Sequence, residues 1–233
     1  MFLFLLSTTF ALTLFAFQPT GYIDYPSVSE QLVETVQHSQ RHAFDSLLKI
    51  VADAKFEVLK NQLYSDTRKK TFWLNVHNAY ALYLLKKEPS ILKNHNHFLS
   101  TKQITIAGMH FSLNEIEHGI LRRSSYRITE TVVIKQLRVL ELDYRVHFGI
   151  NFGAKDCPSL VPFREHKLND QLKSLEKAYI LSHTAIDSAK KEIKTSELFE
   201  WYETDFGGEN GVRNLFEKNG LVQAKDWKIS YEA

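Results

Sequence analysis

The chain has one thiol. Cys157 is the only cysteine in 233 residues, which excludes an intramolecular disulfide in any compartment and leaves that sulfur buried, reactive or paired with another chain. An excess of charge is missing too. The 29 Lys and Arg are balanced by 27 Asp and Glu for a net charge of +2, and because the two signs are mixed along the chain, no basic stripe marks a nucleic-acid partner. Repeats and low-complexity tracts are absent. With 44% hydrophobic and 24% charged residues, the composition is that of a globular chain able to bury one core of roughly 200 residues.

Charge is also missing from residues 2–17, FLFLLSTTFALTLFAF, which run directly into polar Gln18-Pro-Thr-Gly-Tyr22. A hydrocarbon core of about 30 Å takes ~20 helical residues, so this run is short for a membrane span and fits the apolar region of a secretory signal. The expected organisation is a signal peptide or N-terminal anchor over 1–20 and a single α+β domain over 21–233, exported to the periplasm or the extracellular space. The anchor alternative draws on the lack of Lys or Arg before the run and on Phe15-Ala-Phe17, a poor small-x-small cleavage site. An uncleaved anchor is the only membrane contact expected. No cysteine follows the run to carry a lipid.

The segment from Asp143 to Pro162 organises the reading. Its first half alternates, so His147, Gly149 and Asn151 would share one face of a strand, with Phe148, Ile150 and Phe152 on the other. Gly153 and Pro158 then bracket a turn that carries Cys157. A strand delivering a histidine and a loop delivering a thiol would assemble a reactive site from one continuous stretch.

Before it, apolar residues from Ser27 to Leu63 recur at three and four, as in a pair of amphipathic helices broken near His38-Ser-Gln-Arg-His42. Ser65 or Asp66 caps the longest helix, expected to reach Lys87 and stop at Pro89. Its middle is almost wholly apolar, which puts Asn75 and Asn78 in the core on one face. An unpaired buried amide costs on the order of 1 to 3 kcal/mol, so each needs partners. Either they tie the helix to a loop, or one orients an imidazole or donates to an oxyanion.

A hairpin is expected over 103–111, turning at Ala107-Gly108, followed by a capping box, Ser112-Leu-Asn-Glu115. The helix it opens carries Glu117, His118 and, one turn on, Arg122. Val132-Val-Ile reads as a short strand. Later come a helix over 168–181, a hairpin pairing 184–187 with 191–194, a helix capped by Ser196 and ended by Gly207-Gly208, and a helix over 211–218. The class is α+β: a helical N-terminal half with a small, mostly antiparallel sheet containing 143–152.

Four blocks resemble the domain of unknown function 547 (DUF 547) family: Phe72-Trp-Leu-Asn75-Val-His-Asn78-Ala, Ile116-Glu117-His118-Gly-Ile-Leu-Arg122, Val146-His147-Phe148 with Ala154-Lys-Asp-Cys157-Pro158, and Leu198-Phe-Glu-Trp201-Tyr202-Glu-Thr-Asp205-Phe206. They stand in the family's order across residues 70–206. By analogy the resemblance implies a cysteine-dependent hydrolase of a permuted papain-like kind, with histidine and acid preceding the thiol. Where members often carry a second cysteine this chain has Phe152, which removes two-thiol chemistry and leaves a single-thiol mechanism intact.

A cysteine nucleophile needs an imidazole or a helix N-terminus nearby and a group to orient the ring. The preferred arrangement takes Cys157 as nucleophile, His118 as base and Glu117 as orienter, with Asn75, Asn78 or the backbone near Cys157 serving the oxyanion. The alternative takes His147 as base, oriented by Asn151 or Asn75. A zinc site built from His118, His147, Glu117 and Cys157 is the third option, although no close-spaced ligand pair supports it. Neither a cofactor nor a metal is expected. The expected function is a thiol-dependent hydrolase or acyl transferase acting on an amide, peptide or thioester bond of a small-molecule or peptide substrate. Its rival is a noncatalytic envelope binding module in which Cys157 is a small buried hydrophobe.

Overall fold

The computed structural model describes residues 21–126, 128–153, 157–221 and 226–232. The expected signal peptide or anchor therefore lies outside the described residues, and among these no helix is long and apolar enough to cross a membrane.

The domain is α+β and mostly helical, built round one long helix. Its first helices are α1 (Tyr25–Gln37), α2 (Arg41–Ala52), α3 (Phe56–Gln62) and α4 (Asp66–Lys87). Where the spacing suggested two helices before residue 63 there are three. Ser65 caps α4 by accepting from the Arg68 amide at 3.2 Å, and Pro89 ends it by forcing Glu88 out of helical geometry. Every residue from Thr71 to Ala81 is buried, because α1 lies along one side of α4 and the π-helical turn described below lies along another. A helix enclosed in this way needs no amphipathic stripe.

After α5 (His95–Ser100), strands β1 (Ile104–Ile106) and β2 (Met109–Phe111) form the expected hairpin. Ala107 and Gly108 turn it with φ of 50° and 71°, the paired positive angles of a tight two-residue connection. Strands β3 (Thr184–Asp187) and β4 (Glu192–Ser196) pair antiparallel as expected, and β5 (Lys228–Glu232) adds in parallel on the far side of β4. The helices between and after are α6 (Val132–Leu137), α7 (Leu168–Ser182), α8 (Leu198–Trp201) and α9 (Gly208–Lys218).

Two expectations are corrected. Residues 143–152 form no strand and belong to neither sheet. Asp143 accepts the Arg145 amide at 3.2 Å and starts a 3-10 turn over Tyr144–Phe148. The alternation was misleading because both of its faces are covered: Val146, His147 and Phe148 are all buried, and a Cβ at Gly149 would meet Phe163 at 3.0 Å and Leu172 at 3.2 Å. The second correction is Val132-Val-Ile, which opens α6. There the Thr131 hydroxyl accepts the Ile134 amide, a local cap that outweighs the β preference of adjacent valines.

Candidate active site

Glu115–Leu121 is a π-helical turn, entered through the capping box, whose two bonds both form: the Ser112 amide to Glu115 at 3.0 Å, and the Glu115 amide to the Ser112 hydroxyl at 3.1 Å. The Arg122 amide reaches back five residues to the Glu117 carbonyl at 2.9 Å. A π turn inserts one extra residue per turn, a rare deviation that is frequent at functional sites. Glu117, His118 and Arg122 are all buried.

Four of the expected site residues, Glu117, His118, His147 and Cys157, line a single cleft of about 580 Å³. The 3-10 turn delivers His147, and Asn151 frames the thiol loop. The Asn151 side chain donates to the Pro158 carbonyl at 2.6 Å and accepts the Gly153 amide at 2.8 Å, so the ends of the segment bearing Cys157 are pinned to one amide.

The two remaining expected residues lie elsewhere. Asn75 donates to the Phe163 carbonyl at 2.8 Å and to Ser29 at 3.2 Å, and accepts the Phe163 amide at 2.8 Å. Asn78 donates to the Gly149 carbonyl at 2.8 Å and accepts the Asn151 amide at 2.9 Å. Both tie α4 to loops, and neither lines the cleft.

Each histidine has a partner other than the one anticipated. His118 Nδ1 stands 3.7 Å from Glu117 Oε1, too far for a hydrogen bond, and instead accepts from Arg122 Nη1 at 2.6 Å. His147 pairs through Nε2 with Asp205 Oδ2 at 2.8 Å, and Arg122 Nε donates to that same oxygen at 2.6 Å. Glu117 accepts the Tyr202 hydroxyl at 2.7 Å. The Tyr202 ring stacks on His147 at 4.0 Å, and the guanidinium of Arg122 lies 4.5 Å from its centre.

Electrostatics follow from this enclosure. Burial pushes the Asp205 carboxyl up, but His147 and Arg122 outweigh it and hold the group at about 2. Burial likewise opposes ionisation of Glu117, and the imidazoles of His118, His77 and His147 with the Tyr202 hydroxyl bring it below the usual carboxylate value. His147 is held below the usual imidazole value chiefly by burial, with Asp205 pulling the other way. The resting pair is a neutral imidazole on an ionised carboxylate.

Asp205, Arg122, Tyr202 and Asn114 were not anticipated as site residues. Tyr202 and Asp205 stood in the fourth block of the resemblance, and Arg122 at helical spacing from His118. Asn114 lines the cleft from inside the capping box, where its neighbours' role in capping hid it. Among the described residues no group of three or more His, Cys, Asp or Glu is placed to hold a metal ion.

A family model matches residues 61–180, or 120 of the 233 residues. The chain belongs to the family described as protein of unknown function, DUF547. The matched span of this DUF547 protein includes α4, the π turn, His147 and Cys157, and ends before Tyr202 and Asp205. No curated protein and no solved structure matches the chain, and nothing supports a permuted papain-like arrangement.

Proposed function

We propose that this DUF547 protein is a thiol-dependent hydrolase or acyl transferase, with Cys157 as nucleophile and His147 as base. One observation carries the reading: the only thiol and three imidazoles, those of His95, His118 and His147, wall the same cleft, and the last of these is bonded to a buried carboxylate. Nε2 of His147 holds the proton against Asp205, which leaves Nδ1 as the acceptor of the ring. Arg122 donates to Nδ1 of His118, so in the neutral ring the proton sits on Nε2, suited to donating to an oxyanion rather than to accepting from sulfur.

The reaction is acyl transfer in two halves. His147 takes the Cys157 proton as sulfur attacks the carbonyl carbon, and the C–S bond forms while the bond to the leaving nitrogen, oxygen or sulfur breaks. The proton passes to the leaving group. Water or an acceptor nucleophile then loses its proton to His147 and displaces the thiol.

Alkylation by iodoacetamide between pH 5 and 9 tests this. The expected result is a Cys157 rate at pH 6 at least tenfold above that of a free thiol, whose pKa is about 8.5, and reduced by His147→Ala more than by His118→Ala. Loss on His118→Ala alone would move the base to His118. A rate that follows an ordinary thiol and ignores both substitutions would leave a binding module.

A further inference from the structure

The walls of the cleft are unequal in charge. Its described lining residues include two carboxylates, Glu117 and Glu197, and neither a lysine nor an arginine. Glu117 is engaged by Tyr202. Glu197, half-buried beside α8, makes no ion pair with a described residue; its backbone amide donates to the Glu232 carbonyl, and its own carbonyl accepts the Glu200 and Trp201 amides. A carboxylate partly withdrawn from water, with no cation beside it among the described residues, gains most from a ligand that brings one.

Large aromatic surface is left open on the same walls. Trp201 is 65% exposed and Tyr126 54%, although both are residues that burial would reward, and both line the cleft. Aromatic faces attract apolar groups and cations alike and do nothing for an anion.

We infer that the cleft takes a substrate joining an apolar, aromatic-sized group to a cationic group, such as an aminoacyl or peptide amide with a free amine, and discriminates against anionic substrates. Trp201 and Tyr126 hold the apolar part and Glu197 the cation. This rests on the reading that Cys157 is the reacting group, but its selectivity does not depend on which histidine is the base.

Methanethiosulfonate reagents test it directly on the whole protein, because Cys157 is the only thiol. Rates for the trimethylammonium-ethyl, sulfonatoethyl, ethyl and benzyl reagents are each divided by the rate with 2-mercaptoethanol. The expected cation-to-anion ratio is about tenfold, the factor set by one partly shielded charge. Glu197→Gln should lower it severalfold, with the remainder due to the ionised Glu117, and Trp201→Ala should cut the benzyl-to-ethyl ratio severalfold. An anionic reagent reacting as fast as the cationic one overturns the inference, as does a ratio that Glu197→Gln leaves unchanged. If His147→Ala and His118→Ala leave all rates alone while the charge ratio persists, the catalytic reading falls and the ligand preference stands.

Discussion

Arg122 donates from Nη1 to Nδ1 of His118 across 2.6 Å. With its Nε on Asp205, one guanidinium therefore fixes the tautomer of the first histidine directly and the position of the second through the acid. Its charge is nine-tenths buried, so the paired carboxylate cannot be left alone cheaply. Arg122→Met should destabilise the protein by about 3–5 kcal/mol in urea unfolding, the usual cost of breaking a buried pair. Arg122→Lys keeps the charge but loses the fork. It should retain more stability and still slow Cys157 alkylation, with a changed pH profile. A variant that matches wild type in both measurements would show that the guanidinium positions nothing.

Much of this was legible because it is local. The caps at Ser65 and Ser112, the turn at Ala107-Gly108 and the strands around 184–196 are each set by residues within a few positions of one another. The segment 143–152 was misread because alternation also arises where a 3-10 turn is enclosed on all sides, and enclosure depends on Phe163 and Leu172, distant in sequence. The same limit hid Asp205. It stands 58 residues from the histidine it holds, and only the folding of α8 and the turns after it brings the two together. The π turn was read as an ordinary helix because the capping box that opens it is common to both.

Asn75 and Asn78 share a helix face and separate in their consequences. Asn75→Ala strips the partner from both backbone groups of buried Phe163, at a cost of about 3 kcal/mol. The alkylation rate of the remaining folded protein should not change. Asn78→Ala frees the Gly149 carbonyl and the Asn151 amide, the start of the segment that Asn151 closes at Pro158. Stability should fall comparably, and Cys157 labelling should change with it. Equal labelling in the two variants would show that the thiol loop is braced without Asn78.

Gly119 lies inside the π turn where a side chain has no room. An added Cβ would sit 2.7 Å from Ile128 Cδ1 and 2.9 Å from Ile134 Cγ2. Gly119→Ala should therefore cost about 2 kcal/mol through overpacking, despite the better helix propensity of alanine. Ile128→Val removes the nearer methyl, so the double variant should recover about half of that loss, a coupling that chemical denaturation of the four proteins can measure. If the two substitutions simply add, the strain lies elsewhere than in this contact.

The buried imidazoles give stability a direction with pH. Burial holds His147 and His77 below their usual value, so the unfolded chain binds protons at these sites before the folded one does. Their contribution is complete above the unfolded pKa of about 6.5 and is lost as pH falls through the folded values. Asp205, held at about 2 against an unfolded value of about 3.9, adds a second loss between roughly pH 4 and 2. Melting temperature should be level above about pH 7, decline from about 6.5, and fall again below about 4. His147→Gln should weaken the first decline without removing it, since His77 remains, whose Nε2 has no hydrogen-bond partner among the described residues. A melting temperature that rises as pH falls from 7 to 5 would mean that the folded protein takes up those protons more readily than the unfolded chain. The neutral imidazole required of the base would then be the minor form at rest.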